Sequence, residues 1–493
     1  MKRDNQSNKH GFDAFKQALE SLCNRTMNDS EREMILEGLR SEPEKRRLYI
    51  QAMAVEAMLC NEFPSLEHSD RGLMEIAAVP GEVADAVPVA HGQKVREVFT
   101  SARITRFDST SAISGGLPLG LGVRLEPGLL ELSEGSIEVT FDSGAVVSLL
   151  GPARLNVESA FRARLLEGRA AAWVPQQAVG FLMLTPGSYP CDPGKVFAVN
   201  VDNRLGAEVH VLEGSVGSSR TFGKKGAVRP SGKGGGDIGF DKSKLPPIPE
   251  LRHSNVEPAV CFSFDRWTKN RTKSPTGHDL ELFRHDAPAE PVRVEGVSGS
   301  ALRFDGRGMY GRTNFLGVGG DQPRTVAFWI RLDPSVPSDP LNPNGVVAWG
   351  VNRPARKWQV CWNTLYKDGA LGALRVELGI GHVVGATDLR DGRWHHVAVV
   401  FLGGENADVS THIRLYVDGR LERMTGRLQQ RIATDTVSGK AAPMIIGRYL
   451  GRWKNREHFY FQGDLDEVRV YDEAILPSDI VGIMKEHLKE DLR

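Results

Sequence analysis

Apolar positions recur with a helical period near the start of the chain. Phe12, Phe15, Leu19, Leu22 and Cys23 fall along one side of a helix. Two Ser-x-x-Glu starts, Ser30 to Glu33 and Ser41 to Glu44, fit the reciprocal capping pattern and each opens an apolar-periodic run. After the second start, Leu48, Ala52, Val55 and Leu59 share a face. The pattern predicts a helical bundle, or part of one, over residues 1–65. Residues 66–98 read as a linker: their most apolar stretch, GLMEIAAVPGEVADAVPVAHG, carries Glu75, Glu82, Asp85 and two prolines.

The period then changes to two. SIEVTF alternates Ile137, Val139 and Phe141 against Glu138 and Thr140, and DSG turns the chain into AVVSLLGPARLNV. KVFAVNV alternates Phe197, Val199 and Val201, and AEVHVLEG follows after DNRLG. These are hairpins of an all-β domain over 99–217. Residues 218–257 break the pattern. Glycine and lysine dominate SSRTFGKKGAVRPSGKGGGD, and KLPPIPE is proline-rich, so the stretch reads as a locally basic linker. From 258 to 493, AVCFSF, ALRFDG, TVAFWIRL, GVVAWG, WQVCW, ALRVELGI, WHHVAVVF, HIRLYVDG, PMIIG and GDLDEVRVY read as strands between turns, which predicts a β-sandwich. A last helix is expected over 477–491, from PSDI onward.

The segment GRWHHVAVVF, 392–401, raises a question of chemistry. Adjacent strand residues point to opposite faces. Trp394, His396 and Ala398 therefore share one face, and His395, Val397 and Val399 the other. The two histidines diverge and cannot chelate one ion together, because metal ligands must converge. The strand is expected to be structural, with Trp394 on its packed face.

Composition removes several function classes. The chain has 493 residues, enough for roughly three domains. Its formal net charge is zero, so no electrostatic footprint calls for nucleic acid. Cys23, Cys60, Cys191, Cys261 and Cys361 are widely spaced, with no Cys-x-x-Cys pair to suggest a zinc ribbon or a redox motif. The amino terminus, MKRDNQSNKHGFDAF, has no apolar core of a signal peptide, and no stretch is apolar enough for a membrane-spanning helix. GAVRPSGKGGG is not a phosphate-binding loop. Five residues separate Gly226 from Gly232, and glycine follows Lys233. No Gly-x-Ser-x-Gly or His-Glu-x-x-His is present.

GSALRFDG, TVAFWIRL, DGRWHHVAVVF, IRLYVDGRL and GDLDEVRVYDEAILPSDI, in that order, resemble the laminin-G-like, concanavalin A-like jelly roll over about 258–490. In that family the Trp-His-His segment is a core strand. LLELSEGSIEVTFDSGAVVSLLGPARLNVES, RLLEGRAAAWVPQQAVGFLMLTPGS and AEVHVLEGSV resemble the FecR domain of bacterial envelope regulators. After TPG the chain keeps Asp192, Gly194 and Phe197 but departs from that family at Pro190, Cys191, Pro193 and Lys195. The helical start resembles the anti-sigma-like segment that precedes such domains, although the transmembrane helix that normally follows it has no counterpart here. The expected architecture is therefore multidomain and mainly β: a helical segment, an all-β FecR-like domain and a concanavalin A-like jelly roll.

What these resemblances imply can be stated as expectations. The jelly roll would bind a carbohydrate or a protein. The helical segment would meet a sigma-factor-like partner. One structural Ca2+ would sit between the first and last strands of the sandwich, with Asp265 and Asp466 as side-chain ligands; two satisfied carboxylates at a turn or an edge are the alternative. No other cofactor is required. The fold also hosts glucanases, whose retaining members need carboxyl groups about 5–5.5 Å apart. GDLDEVRVY sets Asp464 and Asp466 on one face, but Val468 holds the next place and Glu467 points away. The expectation is a non-catalytic binding and signalling protein. A glycoside hydrolase with a divergent site and a structural envelope protein are the rivals. Location divides the same way: the missing leader and span suggest cytoplasm, and the resemblance suggests the envelope.

Overall fold

The structure is a computed structural model. It describes residues 34–35, 101–114, 119–186, 188–191, 196–202, 206–213, 226–230, 246, 256–338, 344–451 and 459–486. The chain divides into two units, Met1–Lys94 and Val95–Arg493. Of the first unit only Met34 and Ile35 are described, both helical, so the expected bundle and the linker after it lie outside the described residues. The described strands belong to the second unit and form three sheets.

The first sheet takes twelve strands between Ala102 and Pro230. The DSG turn closes the hairpin expected of it. Ser136–Phe141 pairs antiparallel with the start of Val146–Ser159, and Phe141 N–H reaches Ala145 O at 2.8 Å. Val146–Ser159 then changes neighbours. Its first half pairs with Ser136–Phe141 and its second with Gly128–Glu134, and the register with Arg162–Trp173 slips between Leu150 and Arg154. The bend lets one sheet fold over itself and enclose Ile104, Val139, Phe141, Leu149, Leu155, Leu165 and Phe197. Gly226–Pro230, inside the stretch that reads as a linker, pairs parallel with Gly206–Glu213 at the sheet edge. An edge is where a proline-ended strand is tolerated.

The other two sheets make the sandwich. One has eight strands. Its main path runs Arg293–Glu295, Ser300–Asp305, Gln462–Tyr471, Arg324–Arg331, Trp394–Phe401, Ile413–Val417 and Arg420–Leu421, and Val260–Phe262 pairs with Gln462–Tyr471. The other has ten, with Gly345–Gly350, Lys357–Trp362 and Leu374–Glu377 near its middle. Alternate residues from both sheets fill one core that includes Phe262, Phe304, Phe328, Trp349, Trp358, Trp362 and Phe401.

The 392–401 segment forms the strand Trp394–Phe401, and its two faces divide as the alternation requires. The core side is that of Val397, Val399 and Phe401. Trp394, expected on the inward, core-packed face, lies instead on the outer one and is only half-buried, because the core takes the other side of the strand; His396 and Ala398 on its face lie beneath other elements. The C-terminal helix Pro477–Glu486 covers part of this outer face. Val481 and Met484 pack on Trp329 and Trp394, and Ile480 and Ile483 on Ala327, Ala398 and Val400.

The rest of that face meets the first sheet. Asp142, in the DSG turn, accepts from Arg414 Nε at 2.7 Å, and its carbonyl accepts from the Tyr416 hydroxyl at 2.8 Å. Arg103 donates to the carbonyls of Ala474 and Ile475, each at 2.7 Å. Asp142, Ser143, Tyr416 and Arg414 are all buried, so this is a desolvated junction and not a loose tether.

Candidate ligand-binding site

Three neighbouring strands set a row of charges in register. Arg303 lies directly opposite Asp464, and Asp464 directly opposite Arg331. On the far side Arg331 faces Trp394. Side chains directly opposite on antiparallel strands are the pairs that meet, and here they do. Arg303 grips Asp464 with two bonds, Nε to Oδ1 at 2.7 Å and Nη2 to Oδ2 at 3.0 Å. Arg331 adds Nε to Oδ2 at 2.9 Å, and its guanidinium lies 4.6 Å from the centroid of the Trp394 ring. The result is one rung, Arg–Asp–Arg–Trp, across the end of the sheet.

The three charged members of this rung line an open cleft of about 650 Å3. Asp305, Arg307, Asp333, Ser335 and Gln462 form its walls. Asp464 is the most buried of the charged groups, while Arg303 keeps half its side chain in solvent. Asp305 is held by Arg284 at 2.8 Å and by the Arg307 N–H at 2.9 Å. The site is thus a set of fixed donors and acceptors facing water, as hydroxyl-rich ligands require.

The two acids of GDLDEVRVY have separate employments. Both oxygens of Asp464 are engaged by guanidinium groups. Asp466 is fully buried and serves the turn at 296–300: Oδ2 accepts from Val297 N at 2.9 Å and Ser298 N at 3.3 Å, and Oδ1 from Glu467 N at 2.9 Å. Burial pushes its pKa up to about 7, against the pull of the Ser298 and Val297 N–H groups. Asp265 approaches the same turn, with Oδ1 accepting from Ser300 N at 2.8 Å. Gly296 and Gly299 are needed there, because a Cβ would strike Asp466 Oδ2 at one and Asp265 Oδ1 at the other. The two carboxylates singled out as calcium ligands are therefore brought onto one hairpin. Among the described residues no group of three or more His, Cys, Asp or Glu side chains converges as a metal cage. An ion at this turn would draw most of its oxygens from backbone carbonyls, which calcium accepts.

Glu467 meets Arg469 on the same strand at 3.4 Å. It sits at a bulge: its φ is +50°, and the register with Arg324–Arg331 slips opposite it. The histidines behave as their divergence implies. His396 is buried, its ring 5.2 Å from that of Trp329. His395 bridges Asp418 at 2.9 Å and Asp391 at 3.1 Å.

A second charged cluster lies on the outer face of the ten-stranded sheet. Glu377 meets Lys357 at 3.3 Å and Arg375 at 3.2 Å, and accepts from the Tyr449 hydroxyl. Burial alone would raise the Glu377 pKa, but Lys357 and Arg375 outweigh it and hold the carboxyl below its ordinary value. Lys357, Glu377 and Arg375 are all closed to solvent, which makes the cluster a brace and not a binding surface.

Sequence reasoning did not find Arg303 or Arg331. Their signal is present in ALRFDG and FWIRLD, where a basic residue takes the outward place of an alternating strand. The pairing became visible only with the strand order.

No curated protein matches the chain. Among solved structures, domain 4 of AbnA, an extracellular GH43 arabinanase from Geobacillus stearothermophilus in complex with arabinotriose, aligns at 19% identity with TM-score 0.33, over 47% of this chain and 99% of that one. The receptor-binding domain of botulinum neurotoxin D aligns at 12% identity with TM-score 0.30, over 46% of this chain and 52% of that one. The serotype G binding domain aligns at 9% with TM-score 0.32, over 47% and 51%. The chain spans about half the length of these toxin domains. With TM-scores this low, the fold assignment rests on the sheets themselves and on a family match. Residues 305–481, which hold most of the cleft and the Trp-His-His strand, match the concanavalin A-like lectin/glucanases superfamily in its laminin-G-like form.

Proposed function

We propose that the chain is a non-catalytic, modular binding and signalling protein whose jelly roll recognises a carbohydrate at the Arg303–Asp464–Arg331 cleft. The observation that carries this reading is the cross-strand rung. Its charges are paired and fixed, so they offer hydrogen bonds of set direction, and its one carboxyl, Asp464, has both oxygens held by guanidinium groups. General acid–base chemistry needs a carboxyl free to exchange a proton with the substrate; on the walls Asp305 is held by Arg284 and Asp333 by Ser335. The match to a lectin and glucanase superfamily supports a sugar as the ligand, with a protein ligand as the other outcome of the test.

The remaining parts follow the resemblances. Residues 99–217 act as a FecR-like relay, docked on the jelly roll through Asp142, and residues 1–65 contact a sigma-factor-like regulatory partner. The proposed division is 1–65, 66–98, 99–217, 218–257 and 258–493. Among the described residues no helix is long and apolar enough to cross a membrane.

The test is a glycan array probed with the full chain, beside its Arg331→Ala and Arg303→Ala variants. Binding to a defined set of glycans that both variants lose is the expected result. Binding unchanged in both places the ligand elsewhere. Release of reducing sugar from any bound glycan, lost with Asp464→Asn, overturns the non-catalytic reading.

A further inference from the structure

The connection between Lys357–Trp362 and Leu374–Glu377 carries a feature that neither the core nor the cleft uses. Tyr366, in the short 3-10 turn Tyr366–Asp368, is 84% exposed. A single exposed apolar side chain is ordinarily unremarkable. The loop beneath this one is not ordinary. Asn363, wholly buried, sends its amide nitrogen to three carbonyls, Leu365 at 3.0 Å, Gly369 at 3.1 Å and Ala370 at 3.0 Å. Its carbonyl oxygen accepts from Leu365 N at 3.3 Å and from Arg375 Nη1 at 3.0 Å. Arg375 holds Asp368 at 2.8 Å, and the Thr425 hydroxyl takes the Ala370 N–H at 2.9 Å. The charged brace on the ten-stranded sheet therefore ends in this loop and fixes both sides of the tyrosine.

The loop also stands at the same end of the sandwich as the cleft. Leu389 N–H bonds to Gly372 O at 3.1 Å, tying it to the segment 385–393. Arg390 of that segment bonds to Ser338, on the connection that leaves the cleft at Asp333 and Ser335. Gly392, two residues further, lines the cleft itself. Rigid aromatic side chains presented at low entropic cost are efficient binding anchors.

Resting on the carbohydrate reading above, we propose that Tyr366 is an aromatic platform for one ring of a polysaccharide whose neighbouring residues engage the cleft. The ligand is then a neutral chain of several sugars and not a monosaccharide or a polyanion. Its neutrality follows from the cleft, where Arg303, Arg307 and Arg331 are balanced by Asp305, Asp333 and Asp464. A site so balanced has no net field to draw an anionic chain. The ring takes the C–H face of a sugar by apolar contact, and the paired charges take its hydroxyls.

The experiment is native gel electrophoresis of the full chain through gels holding xylan, arabinan, laminarin or galactomannan, with polygalacturonate as the charged contrast. Wild type, Tyr366→Ala and Tyr366→Phe are run together, and each is melted as a control. Retardation by at least one neutral polymer is expected, weakened about tenfold or more by the alanine and kept by the phenylalanine, at unchanged melting temperature. Affinity should also rise with oligosaccharide length. A wild type retarded by none of the polymers overturns the carbohydrate reading and this inference with it. Retardation that Tyr366→Ala leaves intact overturns the platform alone. Stronger retardation by polygalacturonate than by any neutral polymer overturns the neutral ligand.

Discussion

Replacing Asp142 with alanine tests whether the first sheet and the sandwich stand or fall together. The Asp142 carboxylate is almost wholly buried against Arg414 Nε at 2.7 Å. Arg103 and Arg124 also feel its charge; burial and then repulsion from Arg103 hold the Arg124 pKa down to about 10. Removing the carboxylate takes away the anion that all three guanidinium groups share and leaves Asp479 acting on Arg103. Breaking a buried pair from one side costs about 3–5 kcal/mol. Arg414 keeps its bonds to Thr411 O and Ile413 O, and Tyr416 keeps the Asp142 backbone carbonyl, which places the expected cost near ~3 kcal/mol, at the low end. Urea unfolding of the full chain reads it by tryptophan fluorescence. Of the eight tryptophans, Trp173 lies in the first sheet and the others at or beyond Trp267, so the signal reports the sandwich. A lower midpoint in Asp142→Ala thus shows the first sheet supporting the sandwich. Arg414→Met and the double variant complete the cycle, with a coupling energy above ~1 kcal/mol expected for groups in contact. Trypsin should cut first within 218–257, and the two fragments should co-elute in the wild type and separate in Asp142→Ala. Single effects that simply add, or a variant that unfolds at the wild-type midpoint, refute the reasoning.

Two pH-linked predictions accompany it. Asp418, against the cost of burial and with help from Asp391, raises the His395 pKa above its ordinary value. A base with a raised folded pKa stabilises fully below its unfolded pKa, about 6.5, and loses that contribution as pH rises through the folded value. The melting temperature should therefore fall between about pH 6 and pH 9 by more in wild type than in His395→Gln; equal slopes remove the histidine from the account. Asp466 has the opposite chemistry. A carboxyl raised to about 7 keeps its proton in the folded state where the unfolded chain has lost it, so stability declines as pH rises from about 4 towards 7. Ca2+ at Asp265 and Asp466 would offset that cost. The expected result is a higher melting temperature with Ca2+ at pH 8, reversed by EDTA, smaller at pH 5 and absent in Asp466→Asn. No response at pH 8 eliminates the ion.

Much of the architecture is local and was legible for that reason. Alternation in SIEVTF and the DSG turn suffice to specify a hairpin, and divergence of adjacent side chains settles the two histidines. The strand after them carried a further clue. Ala398 and Val400 are apolar on the face opposite Val397 and Val399, the pattern of a strand covered on both sides. The site was not legible, because a rung is a property of strand order. Arg303, Arg331, Trp394 and Asp464 are scattered over 162 positions, and nothing in their neighbours states which strands adjoin. The bulge at Glu467 was hidden for a related cause: an inserted residue breaks the strict alternation from which strand faces are inferred. Asp142 reads as a turn residue and is one; its second role depends on a surface some 270 residues away.

The docking of the first sheet narrows where a ligand can reach the sandwich. One outer face is covered by the helix Pro477–Glu486 and by the Asp142 turn, which seals Arg414 and Tyr416. At the middle of the other, Tyr449 lies over Lys357 and bonds to Glu377, and Leu450 takes the Gln359 side-chain oxygen at 2.8 Å. A ligand entering at either place would have to displace buried ion pairs, and an unpaired buried charge is among the costliest defects a fold can carry. The loop end demands no such displacement. There Arg303 is already half in solvent and Tyr366 almost wholly so. The Arg331–Trp394 rung touches the residues on which the C-terminal helix packs, through Trp329 and Met484, and that helix begins at Pro477, beside Gly144 of the Asp142 turn. A ligand held at the cleft would thus sit at one end of a continuous packed path whose other end is the first sheet. That continuity is why the junction belongs first among the experiments.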